Sequence, residues 1–254
     1  MSVRVESIVL YPDAFFLPFA VLFFLLLSYR GIRPKLPGSC WRTWGVLSAC
    51  LAGGALGGMA YGWIGPSSHT GLPENARAWS SLRFGSFGGH WGVLIGAALC
   101  GALIRDGGLW MADAVVPGLI AGAAISRLSC LFAGCCQGIT LGEGWFQPFK
   151  PWPAYDIAAL LATGAAIRLA RRGTALFGQP GTTLALYLGG YGILRFLIEF
   201  VRDAPAWLVG LSCGQAMAAA QCCVGGAMLL WALRPARQGA GEASQVCGAG
   251  DPPR

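Results

Sequence analysis

The chain has 254 residues, of which 55% are hydrophobic and 11% are charged, and its formal net charge is +7. Soluble domains carry about 25% charged residues, so this composition excludes an ordinary soluble globular protein. The basic residues form no run that alternates with aromatic residues, which argues against binding of nucleic acid. The sequence therefore predicts an all-α polytopic membrane protein surrounded by membrane lipids.

Seven apolar segments have the length of a membrane-spanning helix. They cover residues 13–29, 43–64, 88–105, 112–133, 153–170, 181–201 and 206–233. A basic loop and six more apolar segments follow the first one, which is not typical of a cleaved signal peptide. We expect a single transmembrane domain over residues 1–235. The remaining residues, 236–254, are small, polar and rich in Pro and Gly, and we expect a disordered cytoplasmic tail.

The distribution of Lys and Arg predicts the orientation of these helices. With the N-terminus outside, eleven basic residues lie on the cytoplasmic side, namely Arg30, Arg33, Lys35, Arg42, Arg105, Arg168, Arg171, Arg172, Arg234, Arg237 and Arg254. Five lie on the outer side, namely Arg4, Arg77, Arg83, Lys150 and Arg202. This asymmetry satisfies the positive-inside rule. We therefore expect the N-terminus outside and the C-terminus in the cytoplasm.

The ten cysteines are scattered, mostly within apolar segments, where a free cysteine behaves as a small hydrophobic residue. The adjacent pair Cys135-Cys136 stands out, but a metal site needs further ligands at fixed spacing. The two histidines, His69 and His90, do not supply that spacing. We expect no metal site and no cofactor.

The fourth segment contains an arginine without a nearby acid. Asp113 is about four helical turns from Arg127, so the charge of Arg127 must be met by another helix, by water or by an anionic ligand. Glu199 is the candidate protein partner. Gly134 and Gly138 are predicted to end the helix, and N–H groups exposed in the following loop could form an anion site with Arg127.

The sixth segment carries a polar stripe. Arg195, Glu199 and Arg202 are spaced four and then three residues apart, and Tyr187 and Tyr191 extend the same helical face. A charge within a bilayer costs at least about 2.5–3.5 kcal/mol, so such residues tend to face a polar cavity. One interpretation is a buried ion pair that only joins helices. The net positive charge of the stripe favours a functional site instead.

These segments resemble the prolipoprotein diacylglyceryl transferase family. The strongest similarity is YGILRFLIEFVR, which follows the family pattern Y-G-x-x-R-F-x-x-E-x-x-R. The matching residues are Tyr191, Gly192, Arg195, Phe196, Glu199 and Arg202. In the fourth segment, SRLSCLFAGCCQG aligns without a gap to G-R-I-G-N-F-I-N-G-E-x-x-G, with Arg127 at the arginine and Gly138 at the last glycine.

A third similarity lies at the start of the fifth segment, where KPWPAYDIAAL resembles the family's H-P-x-Q-L-Y-E. This chain keeps Pro151, Tyr155 and, as the acid, Asp156. The resemblance extends over about residues 10–235 and implies seven spans with the N-terminus outside.

The chain departs from the family at several polar positions. Cys130 replaces an asparagine and Cys135 replaces a glutamate. Gly88 stands where the family has the histidine of S-F-H-G-G-L, and His90 follows two residues later. These differences leave three readings open: an active transferase with altered residues, a relative with another acceptor, or an inactive relative.

The resemblance implies transfer of a diacylglyceryl group from phosphatidylglycerol to the lipobox cysteine in the signal peptide of a preprolipoprotein, at the bacterial plasma (inner) membrane. The candidate catalytic residues are Arg195, Glu199, Arg127 and His90. The candidate substrate-binding residues are Arg127, Arg202, Tyr191, Gly138, Tyr155 and Asp156.

Two alternative functions remain open. A non-catalytic or accessory lipid-binding membrane protein would fit the lost polar residues. A small-anion transporter would also use intramembrane arginines, although the chain shows one helix break and no internal repeat.

Overall fold

A computed structural model describes most of the chain. It covers residues 3–5, 8–10, 12–36, 40–64, 85–104, 108–134, 136, 138–141, 148–173, 179–204 and 206–232. The predicted tail over residues 236–254 lies outside the described residues, as do His69 and Cys135. The structure therefore does not test the predictions made for these residues.

Seven long helices are present in the described part of the chain, as predicted. They are α1 (Pro12–Ile32), α2 (Cys40–Ile64), α3 (Ser86–Leu103), α4 (Gly108–Ala133), α5 (Trp152–Gly173), α6 (Thr182–Glu199) and α7 (Cys213–Ala232). A short 3₁₀ helix, Arg33–Lys35, follows α1. Two small antiparallel hairpins pair β1 (Val3–Val5) with β2 (Ile8–Leu10) and β3 (Ala206–Leu208) with β4 (Leu211–Ser212).

The predicted start of the seventh helix is wrong. The sequence predicts a span over residues 206–233, but the second hairpin occupies residues 206–212 and α7 begins at Cys213. The turn between the two strands contains Val209 and Gly210, with φ of 49° and 77°. Because left-handed backbone angles at two successive residues are incompatible with an α-helix, the chain reverses here before the helix starts.

Five of the seven helices, α1 to α4 and α7, are long and apolar enough to cross a membrane by length and composition. The other two, α5 and α6, carry charged residues, which lower their hydropathy. Helix α1 exposes large apolar side chains, which suits contact with lipid; examples are Phe15, Leu17, Phe19, Leu22, Phe23 and Leu26. The number of spans in the membrane and their orientation stay predictions.

Helix α4 is the centre of the bundle and contacts α1, α3, α5 and α6. Helices α2 and α3 approach each other through glycines. A Cβ on Gly92 would lie 1.9 Å from the carbonyl oxygen of Gly53, and one on Gly57 would lie 2.3 Å from that of Gly88. Since a side chain would separate the backbones, these glycines set the distance between the two helices.

Successive helices run in alternating directions, so alternate helix ends meet at one end of the bundle. The starts of α3, α5 and α7 lie there with the ends of α4 and α6, as contacts between their side chains demonstrate. In the predicted orientation this is the outer end. The charged residues of the fourth, fifth and sixth segments are therefore brought together.

Candidate functional site

Arg127 lies about one and a half turns before the end of α4. The helix ends where predicted, because Gly134 adopts a φ of 66° and its N–H donates to the carbonyl oxygen of Cys130 at 3.0 Å. The buried guanidinium of Arg127 donates to Ser86 Oγ at 2.6 Å, and its Nη1 lies 3.9 Å from Cys130 Sγ. Cys130 thus contacts Arg127 at the position where the family pattern has an asparagine.

The acid that meets the charge of Arg127 is Asp156, and the expectation of Glu199 was wrong. Asp156 is fully buried, and its Oδ2 lies 2.6 Å from Arg127 Nε. Its other oxygen accepts a hydrogen bond from the Tyr191 hydroxyl at 2.8 Å and lies 3.7 Å from Arg195 Nε. Helix α5 packs between α4 and α6 at this level, so its carboxylate links the two arginine-bearing helices.

Glu199 pairs instead with residues that are close to it in the chain. It forms an ion pair with Arg195 and accepts a hydrogen bond from Arg202 Nη1 at 3.0 Å. The Ser212 hydroxyl also donates to Glu199, at 3.3 Å. A Cβ on Gly214 would lie only 2.2 Å from a Glu199 oxygen, so α7 can approach this carboxylate only through a glycine.

The cluster contains three guanidinium groups and two carboxylates, which leaves one net positive charge. Some of its donors are unused. Within the described residues, the buried Nε of Arg195 has no hydrogen-bond partner, and the hydrogen bonds of Arg195 and Arg202 to Glu199 use only Nη1 of each guanidinium. The Arg202 side chain is 20% exposed, which gives an anion access to it. The arrangement can therefore bind an anion with planar, bidentate geometry.

Trp152, the first residue of α5, lies beneath all three arginines. Its ring centroid is 4.3 Å from the guanidinium carbon of Arg195, 4.9 Å from that of Arg202 and 5.6 Å from that of Arg127. The indole N–H donates to the carbonyl oxygen of Ile198 at 2.9 Å. Trp152 was not predicted from the sequence, because it occupies the variable position of its motif.

His90 is connected to the cluster through two tyrosines of α6. Its Nδ1 lies 3.1 Å from the Tyr187 hydroxyl, and the rings of Tyr187 and Tyr191 stack at 5.7 Å. Tyr191 in turn donates to Asp156. Gly88 has no room for a side chain, because a Cβ there would lie 2.0 Å from the carbonyl oxygen of Gly57. The close approach of α2 therefore excludes a histidine at position 88.

Gly138 lies beside the cluster but uses its N–H within the protein. That N–H donates to the Lys150 carbonyl at 3.4 Å, and the next one, of Ile139, donates to Val201 at 2.9 Å. The loop and Arg202 are thereby joined by a β-bridge. These two N–H groups are not free to bind an anion, in contrast to the expectation for this loop, because the loop pairs with the chain after α6.

Tyr155 lies apart from the arginines. Its side chain is 37% exposed and its hydroxyl donates to the Pro148 carbonyl at 2.9 Å. Its predicted part in substrate binding is untested, as is that of Gly138.

A cavity of about 270 Å³ adjoins the end of α4, where Arg127 lies. It is lined by Cys130, Leu131, Gly134, Cys136, Lys150, Pro151 and Pro153. Two thiols and one ammonium group thus border this cavity.

Two contacts of the cluster were also missed by the sequence analysis. Ser86, which accepts from Arg127, begins the S-F pair of a family motif, and that match could have identified it. Ser212, which donates to Glu199, ends the hairpin that the sequence analysis assigned to a helix. No pattern in the sequence indicated its position.

Comparison with known proteins agrees with the resemblance in the charged segments. The protein named phosphatidylglycerol–prolipoprotein diacylglyceryl transferase 2 of Clostridium perfringens is 32% identical over 148 residues, which cover 52% of this chain and 57% of that protein. The transferase of Dehalococcoides mccartyi strain BAV1 is 29% identical over 63% of this chain and 70% of its own length. The transferase of Cupriavidus necator is 28% identical over 88% of both chains.

The family model described as prolipoprotein diacylglyceryl transferase matches residues 16–231, which include all the residues of the charged cluster. The match extends from α1 to the last residues of α7. The chain belongs to the prolipoprotein diacylglyceryl transferase family.

Proposed function

We propose that this chain is a transferase that moves the diacylglyceryl group of phosphatidylglycerol to the cysteine thiol of a prolipoprotein. The names of its relatives specify that donor and that acceptor. One observation supports the proposal most directly. Three arginines converge at one end of an apolar bundle with one unbalanced positive charge and with unused N–H donors. A phosphate monoanion complements both features.

The reaction forms a bond between the thiol sulfur and a glyceryl carbon and breaks the bond from that carbon to a phosphate oxygen. The electron pair leaves with that oxygen as glycerol phosphate, and the thiol proton passes to a base. Negative charge therefore grows on the phosphate in the transition state. The unused donors of Arg195 and Arg202 are placed to bind it there, where the interaction lowers the barrier.

Three side chains could accept the thiol proton, namely His90, Asp156 and Glu199. Each carboxylate is already paired with guanidinium groups in a buried ion pair. His90 forms no such ion pair with the residues that the structure describes, and its Nδ1 lies 3.1 Å from the Tyr187 hydroxyl. We favour His90 as the base, with Asp156 and Glu199 orienting the arginines. Arg127 and Tyr191 orient Asp156 in turn.

The acceptor in this proposal is the lipobox cysteine of a prolipoprotein signal peptide. The protein is a multi-pass membrane protein, and we place it in the bacterial plasma (inner) membrane with the cluster at the outer end. Both substrates are lipidic, so they must reach the cluster from the bilayer. The exposed apolar side chains Ile193 and Leu197 on α6 and Phe200 directly after it suit contact with acyl chains.

The decisive experiment incubates the purified protein with phosphatidylglycerol and a synthetic lipobox peptide and follows the peptide by mass spectrometry. We expect the peptide to gain the mass of one diacylglyceryl unit. A matched peptide with serine in place of cysteine should gain none. Absence of product from folded protein that still binds phosphatidylglycerol would refute transfer and support the non-catalytic alternative. Anion flux into liposomes without product would instead support a transporter.

A further inference from the structure

We infer that Trp152 is a positioning residue. It holds the three guanidinium groups in fixed relative positions and so sets the affinity for the lipid phosphate. This inference rests on the proposed function for the identity of the lipid. The residue stands at the variable position of its motif, so the family resemblance assigns it no role.

The first observation is the geometry of the indole. Trp152 is fully buried, and its ring lies within 5.6 Å of the guanidinium carbons of Arg195, Arg202 and Arg127. Cations at this distance from an aromatic ring are attracted to its negatively charged face. One ring thus contacts every cation of the cluster. Three like charges held so close repel one another, and the shared ring opposes their separation.

The second observation is that Arg195 contacts two aromatic rings. Phe87, from α3, has its centroid 5.0 Å from the guanidinium carbon, and Trp152 lies at 4.3 Å. Contacts from two aromatic rings restrict the tilt of the guanidinium plane, and its N–H donors lie in that plane. One in-plane donor, Nη1, is used by Glu199, while Nε has no hydrogen-bond partner within the described residues.

The third observation is that the indole itself is fixed. Its N–H donates to the carbonyl oxygen of Ile198, the residue before Glu199. Trp152 therefore joins the start of α5 to the last turn of α6. Loss of the ring would change the direction of the arginine N–H donors. We expect this change to weaken the binding of a bidentate ligand more than it destabilises the fold.

The test compares Trp152→Leu, which removes the ring, with Trp152→Phe, which keeps a ring and loses the N–H. Trp41→Leu is the matched control, because Trp41 also lies against an arginine, with Arg42 at 5.5 Å, but is 72% exposed on α2. We expect Trp152→Leu to raise KM for phosphatidylglycerol about tenfold and Trp152→Phe to raise it about threefold or less. KM for the lipobox peptide should change in neither variant, and the control should resemble the wild type.

A second readout separates this inference from the proposed reaction. Thermal stabilisation of each variant by phosphatidylglycerol measures binding without turnover, and Trp152→Leu should need about tenfold more lipid for the same shift. If the wild type makes no product but this shift is found, the reaction is refuted and the positioning role stands. Wild-type lipid dependence in Trp152→Leu would overturn the inference, as would equal losses in the Leu and Phe variants. If Trp152→Leu does not fold, Trp152→Met gives the same comparison.

Discussion

Two buried aspartates lie at opposite ends of the bundle. One is paired with backbone N–H groups and the other with charged side chains. Asp113, on α4, accepts hydrogen bonds from the backbone N–H groups of Gly181 and Leu184, both at 2.7 Å. Asp156, on α5, faces the guanidinium groups of Arg127 and Arg195. The first carboxylate is satisfied by main-chain N–H groups, and the second by guanidinium groups that belong to the charged cluster.

This difference predicts that Asp113 contributes mainly to stability and Asp156 mainly to function. A helix start has unpaired N–H groups and a partial positive charge, and α6 has no capping side chain of its own at Gly181. Asp113 supplies the cap from α4 and so fixes the two arginine-bearing helices against each other. Asp156 joins the same helices at the other end through ion pairs with Arg127 and Arg195. We therefore expect the two aspartates to respond differently to substitution and to lipid.

The largest effect should come from removing the guanidinium with an unused donor. We expect Arg195→Ala to lose transfer by about 100- to 1,000-fold or more, because charge developing on the phosphate loses a guanidinium donor, while the protein stays inserted. Product formation with the lipobox peptide measures the loss. Arg168→Ala, at an exposed position of α5, is the control and should keep wild-type activity. Full activity of well-expressed Arg195→Ala protein would contradict the proposed site.

Asp156→Asn should have the next largest effect. The change leaves Arg127 and Arg195 without their shared carboxylate, and breaking a buried ion pair costs about 3–5 kcal/mol. We expect a lower melting temperature that phosphatidylglycerol partly restores, because its phosphate can replace the lost negative charge. Thermal unfolding with and without the lipid measures this. A variant that the lipid stabilises no more than the wild type would show that the phosphate binds elsewhere.

Asp113→Asn should give a smaller loss, and one that the lipid does not specifically repair. The amide can still accept one of the two backbone hydrogen bonds, so the cost is about 1–3 kcal/mol. For a chain of this size that corresponds to a fall in melting temperature of about 2–12 °C. KM for phosphatidylglycerol should stay at the wild-type value. A raised KM with little loss of stability would place Asp113 within the functional machinery.

The contrast between these aspartates also explains what could be predicted from the sequence. The seven helices follow from apolar segments, and Asp156 was identified because it lies in a motif. The capping role of Asp113 was not foreseen, because its partner Gly181 lies 68 residues away and contributes only backbone. The partner of Arg127 was assigned wrongly for the same reason, since helical spacing relates residues within a helix but not between helices.

Tyr155→Phe should have the smallest effect, although Tyr155 matches the family pattern. Among the described residues its hydroxyl donates only to the Pro148 carbonyl, and Tyr155 is 37% exposed outside the arginine cluster. An exposed neutral hydrogen bond contributes about 0.5–1.5 kcal/mol, so we expect less than about a tenfold change in kcat/KM. Steady-state kinetics with the lipobox peptide measures it, and Tyr191→Phe, which removes a hydrogen bond to Asp156, should lose more. If the order were reversed, the loop that holds Pro148 would contact substrate, and the functional site would extend beyond the buried ion pairs.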